Sequence, residues 1–295
     1  MPRQHAAIGL ALLTRLTCAC ALVSSGCASQ TPEVLYATAA SRKAVSAHDK
    51  SPATAEELVA RYAHGERNFD GLRLPKVTLG DAKLPAASFR QAHLQDAELS
   101  AALLDAADFS RADLRHAHLH AISAVNTTWL NARLAGADLS EAVLSSSDFT
   151  GASLEGARLD VANLQLADLS GANLRGSSLR YTALHSAVLR ESDLSRADLS
   201  FAIVSDADLD EANLSGANLG TTDFGRSFLR DANLSDTLLC QTILTGADLT
   251  GAKLQGARYS ARTRRSPELD LTALGAVDDP CCYEKYYEKA CGREP

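Results

Sequence analysis

Two groups of side chains carry chemistry of the kind that holds a metal ion. His118 and His120 flank Leu119, and Glu98 and Asp138 each stand one twenty-residue step from His118. Two imidazoles and two carboxylates are a donor set for zinc or a related divalent metal. The second group, Asp206, Asp208, Asp210 and Glu211, has the alternating carboxylates of a calcium loop. Glu211 stands where that loop needs glycine and Ala217 where it needs its closing acid, so the calcium reading fails. Asp210 lies instead midway between Arg190 and Arg230, which reads as a ladder of opposite charges. The histidine group reads as a solvated charge column, carboxylates beside a partly protonated imidazole. Neither group is expected to bind metal, and no cofactor is expected.

Nucleophilic and phosphate-binding motifs are missing: there is no Gly-x-Ser-x-Gly, no P-loop, no dinucleotide glycine fingerprint and no His-Glu-x-x-His. The expectation is a protein that is not an enzyme, and the organisation of the chain explains why. From Phe69 to Tyr259 a large apolar residue returns at every fifth position, thirty-nine times without insertion, and only Ala124 breaks the rule. Two places before each sits a small residue, usually Ala, and one place before it often Asp or Asn. Five steps scatter side chains round an α-helix and throw them to alternate faces of a strand. A chain that bends after every five residues escapes both problems, because each fifth side chain then points at one axis.

The number of sides follows from residues that recur every twenty positions. Phe69, Phe89, Phe109, Trp129 and Phe149 do so inside, and Val161, Tyr181 and Phe201 outside. Four pentapeptides therefore make one turn. The stretch holds about nine to ten coils, a rod about 45 Å long at the spacing of neighbouring strands. A core packed solid with leucine leaves no concave pocket for catalysis.

Ala167-Asp168-Leu169-Ser170-Gly171 and Ala212-Asn213-Leu214-Ser215-Gly216 resemble the motif of the pentapeptide repeat proteins. The resemblance implies an all-β solenoid, a right-handed quadrilateral β-helix, here with short helical caps. For function it implies less. Some members mimic DNA and bind type II topoisomerases, and many have no assigned activity.

Outside the repeat, residues 1–26 look like an export signal: Arg3 and Arg15, an apolar run from Leu16 to Val23, then small residues. The run is too short to remain as a membrane span. Its end resembles a bacterial lipobox with Cys27 as the lipid-modified residue, and Ala28 rather than Asp favours the outer membrane. Residues 27–50 read as a flexible tether. Residues 51–66 hold a capping helix, with Thr54 and Glu57 as its capping box and Gly65 as its stop. The coil occupies 67–260. Residues 261–295, rich in Cys and Tyr, are expected to fold back over the last coils as a second cap, with Tyr283–Ala290 helical.

Seven cysteines are present. Cys18 and Cys20 leave with the signal, and with Cys27 lipidated four remain: Cys240, Cys281, Cys282 and Cys291. Export places them in an oxidising compartment, where one or two disulfides are expected, in any of three pairings for two bridges. A thiolate metal site lacks the Cys-x-x-Cys spacing. Cys240 follows inward Leu239 and is expected to face outward.

The outer walls supply the functional reading. Leu103, Val143, Ile203 and Ile243 each precede an inward residue on one side of the rod, and Val161, Tyr181 and Phe201 occupy the adjoining corner. A contiguous apolar stripe marks a covered surface. Its cover would be the C-terminal segment, a second copy in a homodimer, or a protein partner. The expected function is a lipid-anchored envelope rod facing the periplasm or cell surface, with no nucleic acid bound. The alternative is a cytoplasmic DNA mimic that inhibits or protects a topoisomerase. A net charge of −7 leans toward mimicry, but arginines from Arg158 to Arg230 interrupt the acids, and an exported protein never meets that target.

Overall fold

The structure, a computed structural model, describes residues 52–279. Among the described residues a single α-helix, α1 (Ala55–Ala63), precedes the coil. Thr54 accepts from the Glu57 N–H at 3.2 Å, and the Glu57 carboxylate reaches back to the Ala53 N–H at 2.9 Å, so two donors at the helix start are satisfied. Gly65, at φ +97°, and the Glu66 N–H bonded to the Arg61 carbonyl close the other end. Leu58 is fully buried against the first coil, and the Tyr62 hydroxyl donates to the Pro85 carbonyl at 2.8 Å.

The chain then forms a four-sided, right-handed parallel β-helix in which residues twenty apart are bridged in register, Asn68 to Ser88 through Leu238 to Arg258. One pentapeptide shows the bonding. The Leu134 N–H donates up to Ser153, the Gly136 N–H up to Glu155, and the Arg133 N–H down to Ala112, while the Ala137 N–H closes the corner on the Leu134 carbonyl. Four of the five amides are thus used by the backbone. The fifth, that of residue 135, has no backbone acceptor.

That leftover amide explains the Asp/Asn preference. Asp168 accepts from the Ser170 N–H at 2.9 Å and Asn213 from the Ser215 N–H at 3.2 Å, and the same bond recurs along the rod. It also explains Pro75 and Pro85, which sit at the leftover position and forfeit nothing.

Corners are turns whose third residue has a left-handed φ. Most of these residues are not glycine, so the cross-coil amide bonds offset about 1 kcal/mol of strain at each. At Gly136 glycine is required for a further reason: a Cβ there would lie 2.6 Å from His116 Nδ1, one coil below.

The core is a set of stacked columns. Rings from Phe69 to Phe149 lie 4.5–5.6 Å apart with interplanar angles of 3–20°. Where Ala124 replaces the large residue, Ile122 fills the usual small-residue position and is fully buried, as is Trp129. The corner there opens to admit a side chain from the next coil. The Ser147 hydroxyl donates to the Ala124 carbonyl at 2.8 Å and accepts from the Thr127 N–H at 3.1 Å.

The periodic pattern ends at Tyr259, yet the coil continues. Strand β3 (Arg264–Arg265) pairs in parallel with β1 (Ile243–Leu244), and β4 (Val277–Asp278) with β2 (Arg258–Tyr259). Residues 261–279 therefore add a further turn on the end of the rod. Strand edges left open by the last pentapeptides demand partners, and Leu271, fully buried, continues the core. Residues Tyr283–Ala290 lie outside the described residues.

Candidate interaction surface

A run of apolar side chains marks one side of the rod. Val161, Tyr181 and Phe201 stand in one corner column at φ +63°, +59° and +63°. A β-branched or bulky aromatic residue is among the least suited to this conformation. Burial does not compensate, since Val161 is 48% and Tyr181 52% exposed. The Tyr181 and Phe201 rings stack at 4.8 Å and 7°, with the Arg180 guanidinium 5.9 Å from the Tyr181 ring.

Beside this corner runs an unbroken ladder of bridged outward residues that includes Leu103, Val143, Ala183, Ile203 and Ile243. Leu103 is 40% and Ile203 50% exposed, and Val143, Phe201 and Ile243 are half-buried. Ala183 joins the stripe unforeseen; only its place in the twenty-residue ladder reveals it. Leu166 and Phe228, outside the stripe, are further exposed apolar residues, and Arg230 lies 5.6 Å from the Phe228 ring.

Apolar residues in this ladder have a second effect. Where Asp or Asn stands, the leftover corner amide is capped; behind Val143, Ala183 and Ile203 the amides of Ser145, His185 and Ser205 have no acceptor among the described residues. The stripe thus pairs exposed apolar side chains with open hydrogen-bond donors.

The other walls are occupied by charge ladders. Asp210, nearly buried, accepts from Arg190 Nη1 at 3.1 Å and Arg230 Nε at 2.9 Å, as the column position implies. Burial pushes its carboxyl up, and the hydrogen bonds and charge of Arg230 with the charge of Arg190 outweigh that and lower it. Asp113 follows the same balance: desolvation raises its pKa, hydrogen bonds from Arg115 and Gln95 oppose it, and the carboxyl ends at about 2. Asp206 is held by a bidentate pair with Arg226 at 2.7 and 2.5 Å.

His118 is bridged to Glu98 and Asp138 on either side. Both carboxylates are spent on corner amides, Glu98 on Ser100 and Asp138 on Ser140, and among the described residues no group of His, Cys, Asp and Glu is arranged to hold a metal. An open depression of about 570 Å³ lies by the last turn, lined by residues including Tyr259, Thr263, Arg264 and Asp278. It holds neither histidine nor cysteine.

Cys240 is buried at 1% exposure and disulfide-bonded. Cys27, Cys281, Cys282 and Cys291 lie outside the described residues, as do the export signal and tether. No helix among the described residues is long and apolar enough to cross a membrane.

The model of the family described as pentapeptide repeats matches eight copies, over residues 82–120, 131–165, 167–200, 192–231 and 227–258. No curated protein matches the chain. Among solved structures it is similar to HetL, a pentapeptide repeat protein involved in heterocyst differentiation regulation from the cyanobacterium Nostoc sp. strain PCC 7120. Identity is 32%, over 69% of this chain and 94% of that one, with a TM-score of 0.40. A pentapeptide repeat protein of the Arabidopsis thaliana thylakoid lumen is 37% identical over 32% of this chain and 65% of its own, with a TM-score of 0.31. QnrB1, a plasmid-mediated fluoroquinolone resistance protein, is 20% identical over 65% of this chain and 90% of its own, with a TM-score of 0.32.

Proposed function

This chain belongs to the pentapeptide repeat family, and we propose that it works as a non-enzymatic, envelope-tethered rod that engages a protein through its apolar stripe. One observation carries the reading. Val161 and Tyr181 accept a strained backbone and exposure together, with half-buried Phe201 stacked on Tyr181, and the exposure is relieved when a partner covers them. Paired charges on the remaining walls weigh against DNA mimicry, which needs a continuous run of unneutralised acids in place of phosphates. The anchor rests on the sequence, with residues 1–26 as export signal, Cys27 as the lipidated residue, residues 27–50 as tether and the outer membrane as its site. We assign the partner of Cys240 to Cys281, Cys282 or Cys291, consistent with an oxidising compartment.

The test uses the full chain in its native host. A photo-crosslinking residue at Tyr181 should yield a discrete adduct, and the same residue at Ser215 on another wall should not. Equal labelling at both positions, or none at Tyr181, overturns the interaction surface. Cys27→Ala should release the protein from the membrane fraction; a variant that still sediments with membranes removes the lipid anchor.

A further inference from the structure

The ladder beside the stripe reads nearly the same from both ends. Its members are bridged in the order Leu103, Ser123, Val143, Asn163, then Ala183, Ile203, Asp223, Ile243. Counting outward from the midpoint, small Asn163 matches small Ala183, and apolar Val143 matches apolar Ile203. Polar Ser123 then matches polar Asp223, and apolar Leu103 matches apolar Ile243. A surface with this order is complementary to itself after a half-turn that reverses the rod. In an isologous contact residue i meets j, and j meets i.

We infer that this side of the rod is the interface of an antiparallel homodimer, with the two-fold axis passing between the coils of Asn163 and Ala183. The inference rests on the proposal that the stripe is a covered surface and names a second copy as its cover.

Three further observations fit this register. The axis sets Val161 opposite Tyr181 of the second copy, so the exposed Tyr181 ring, stacked on Phe201, falls at the centre of the contact, where binding energy concentrates. Within the stripe no charge meets its like, since Asp223 faces Ser123 and Glu141 at the corner faces Phe201; only beyond its ends, where the ladder runs on to Lys83 and Arg264, do like charges meet. A slip of one coil would set Leu103 against Asp223 and Ile203 against Ser123, so the order of residues selects one register over its neighbours.

The register makes a charge-swap test possible. The purified full-length chain should show the mass of two chains in light scattering or sedimentation equilibrium. Val143→Lys and Ile203→Asp should each give the mass of one chain, with the melting temperature close to wild type, because both side chains are at the surface. Mixing the two variants should restore the mass of two chains, since the introduced ammonium of one copy then meets the introduced carboxylate of the other. Within one chain these positions are three coils apart, about 14 Å, too far to pair. A wild type that is monomeric up to the highest soluble concentration overturns the homodimer; adduct formation at Tyr181 would still decide separately whether another protein covers the stripe. A dimer that both variants preserve, or that mixing fails to restore, overturns the register.

Discussion

At the scale of single residues, the protein is governed by where each backbone amide goes. Four amides in five are used by the coil itself, and the fifth decides what stands beside it. Ser147 shows how closely this is observed, since its hydroxyl replaces a missing corner bond between Thr127 and Ala124. Ser147→Ala leaves a buried donor and acceptor unpaired and should cost about 1–3 kcal/mol, read as a lower denaturation midpoint with an unchanged m-value. Ionisable residues add a pH dependence. Asp113 has a folded pKa of about 2, below its unfolded value, so its contribution is fully present above about pH 4 and is lost as the pH falls toward 2. The melting temperature should drop across that window, and Asp113→Asn should flatten part of the drop.

At the scale of elements, the pentapeptide is a strand of minimal length joined to a turn, and its corner is the place to adjust stability. Ala135 stands in the same column as Pro75, at the corner position whose amide is unused, and its own N–H has no acceptor among the described residues. Ala135→Pro should therefore stabilise by about 0.4–1 kcal/mol, through a less flexible unfolded chain, visible as a raised melting temperature. Helix α1 is the other adjustable element. Leu58 seals the start of the core, and Leu58→Ala should cost about 2–5 kcal/mol. Because it exposes the first coil's edge, the variant should also aggregate on warming at concentrations where wild type does not.

For the molecule as a whole, stability is a sum of contacts between neighbouring coils, so the ends decide where it opens. The N-terminal end has α1. The C-terminal end has the extra turn through Leu271 and the disulfide at Cys240. Cys240→Ser should leave hydrogen exchange in the first coils unchanged and speed it in residues 240–279, by an amount on the order of 2–4 kcal/mol of local stability. Uniform acceleration along the rod would instead mean that the coils unfold as one unit. The same one-dimensional build makes recognition possible without a pocket, because a ladder of twenty-residue steps turns the order of residues in the chain into a pattern on a wall.

The sequence by itself determined the fold, because a five-residue period sustained from Phe69 to Tyr259 has one geometric solution and twenty-residue columns fix its four sides. It also placed Leu103, Val143, Val161, Tyr181, Phe201, Ile203 and Ile243 on one side, since periodicity alone assigns direction. Only the tertiary structure decided what periodicity cannot express. The swap of Ile122 for the missing volume at Ala124 depends on side chains from adjacent coils, and the use of Asp and Asn as corner caps depends on counting amides in three dimensions. The turn beyond Tyr259 keeps only Leu269 and Leu274 on the five-residue frame. It forms because the last strand edges need partners, a demand set by the coil beneath them, and because Leu271 extends the core, which spacing from Tyr259 does not reveal.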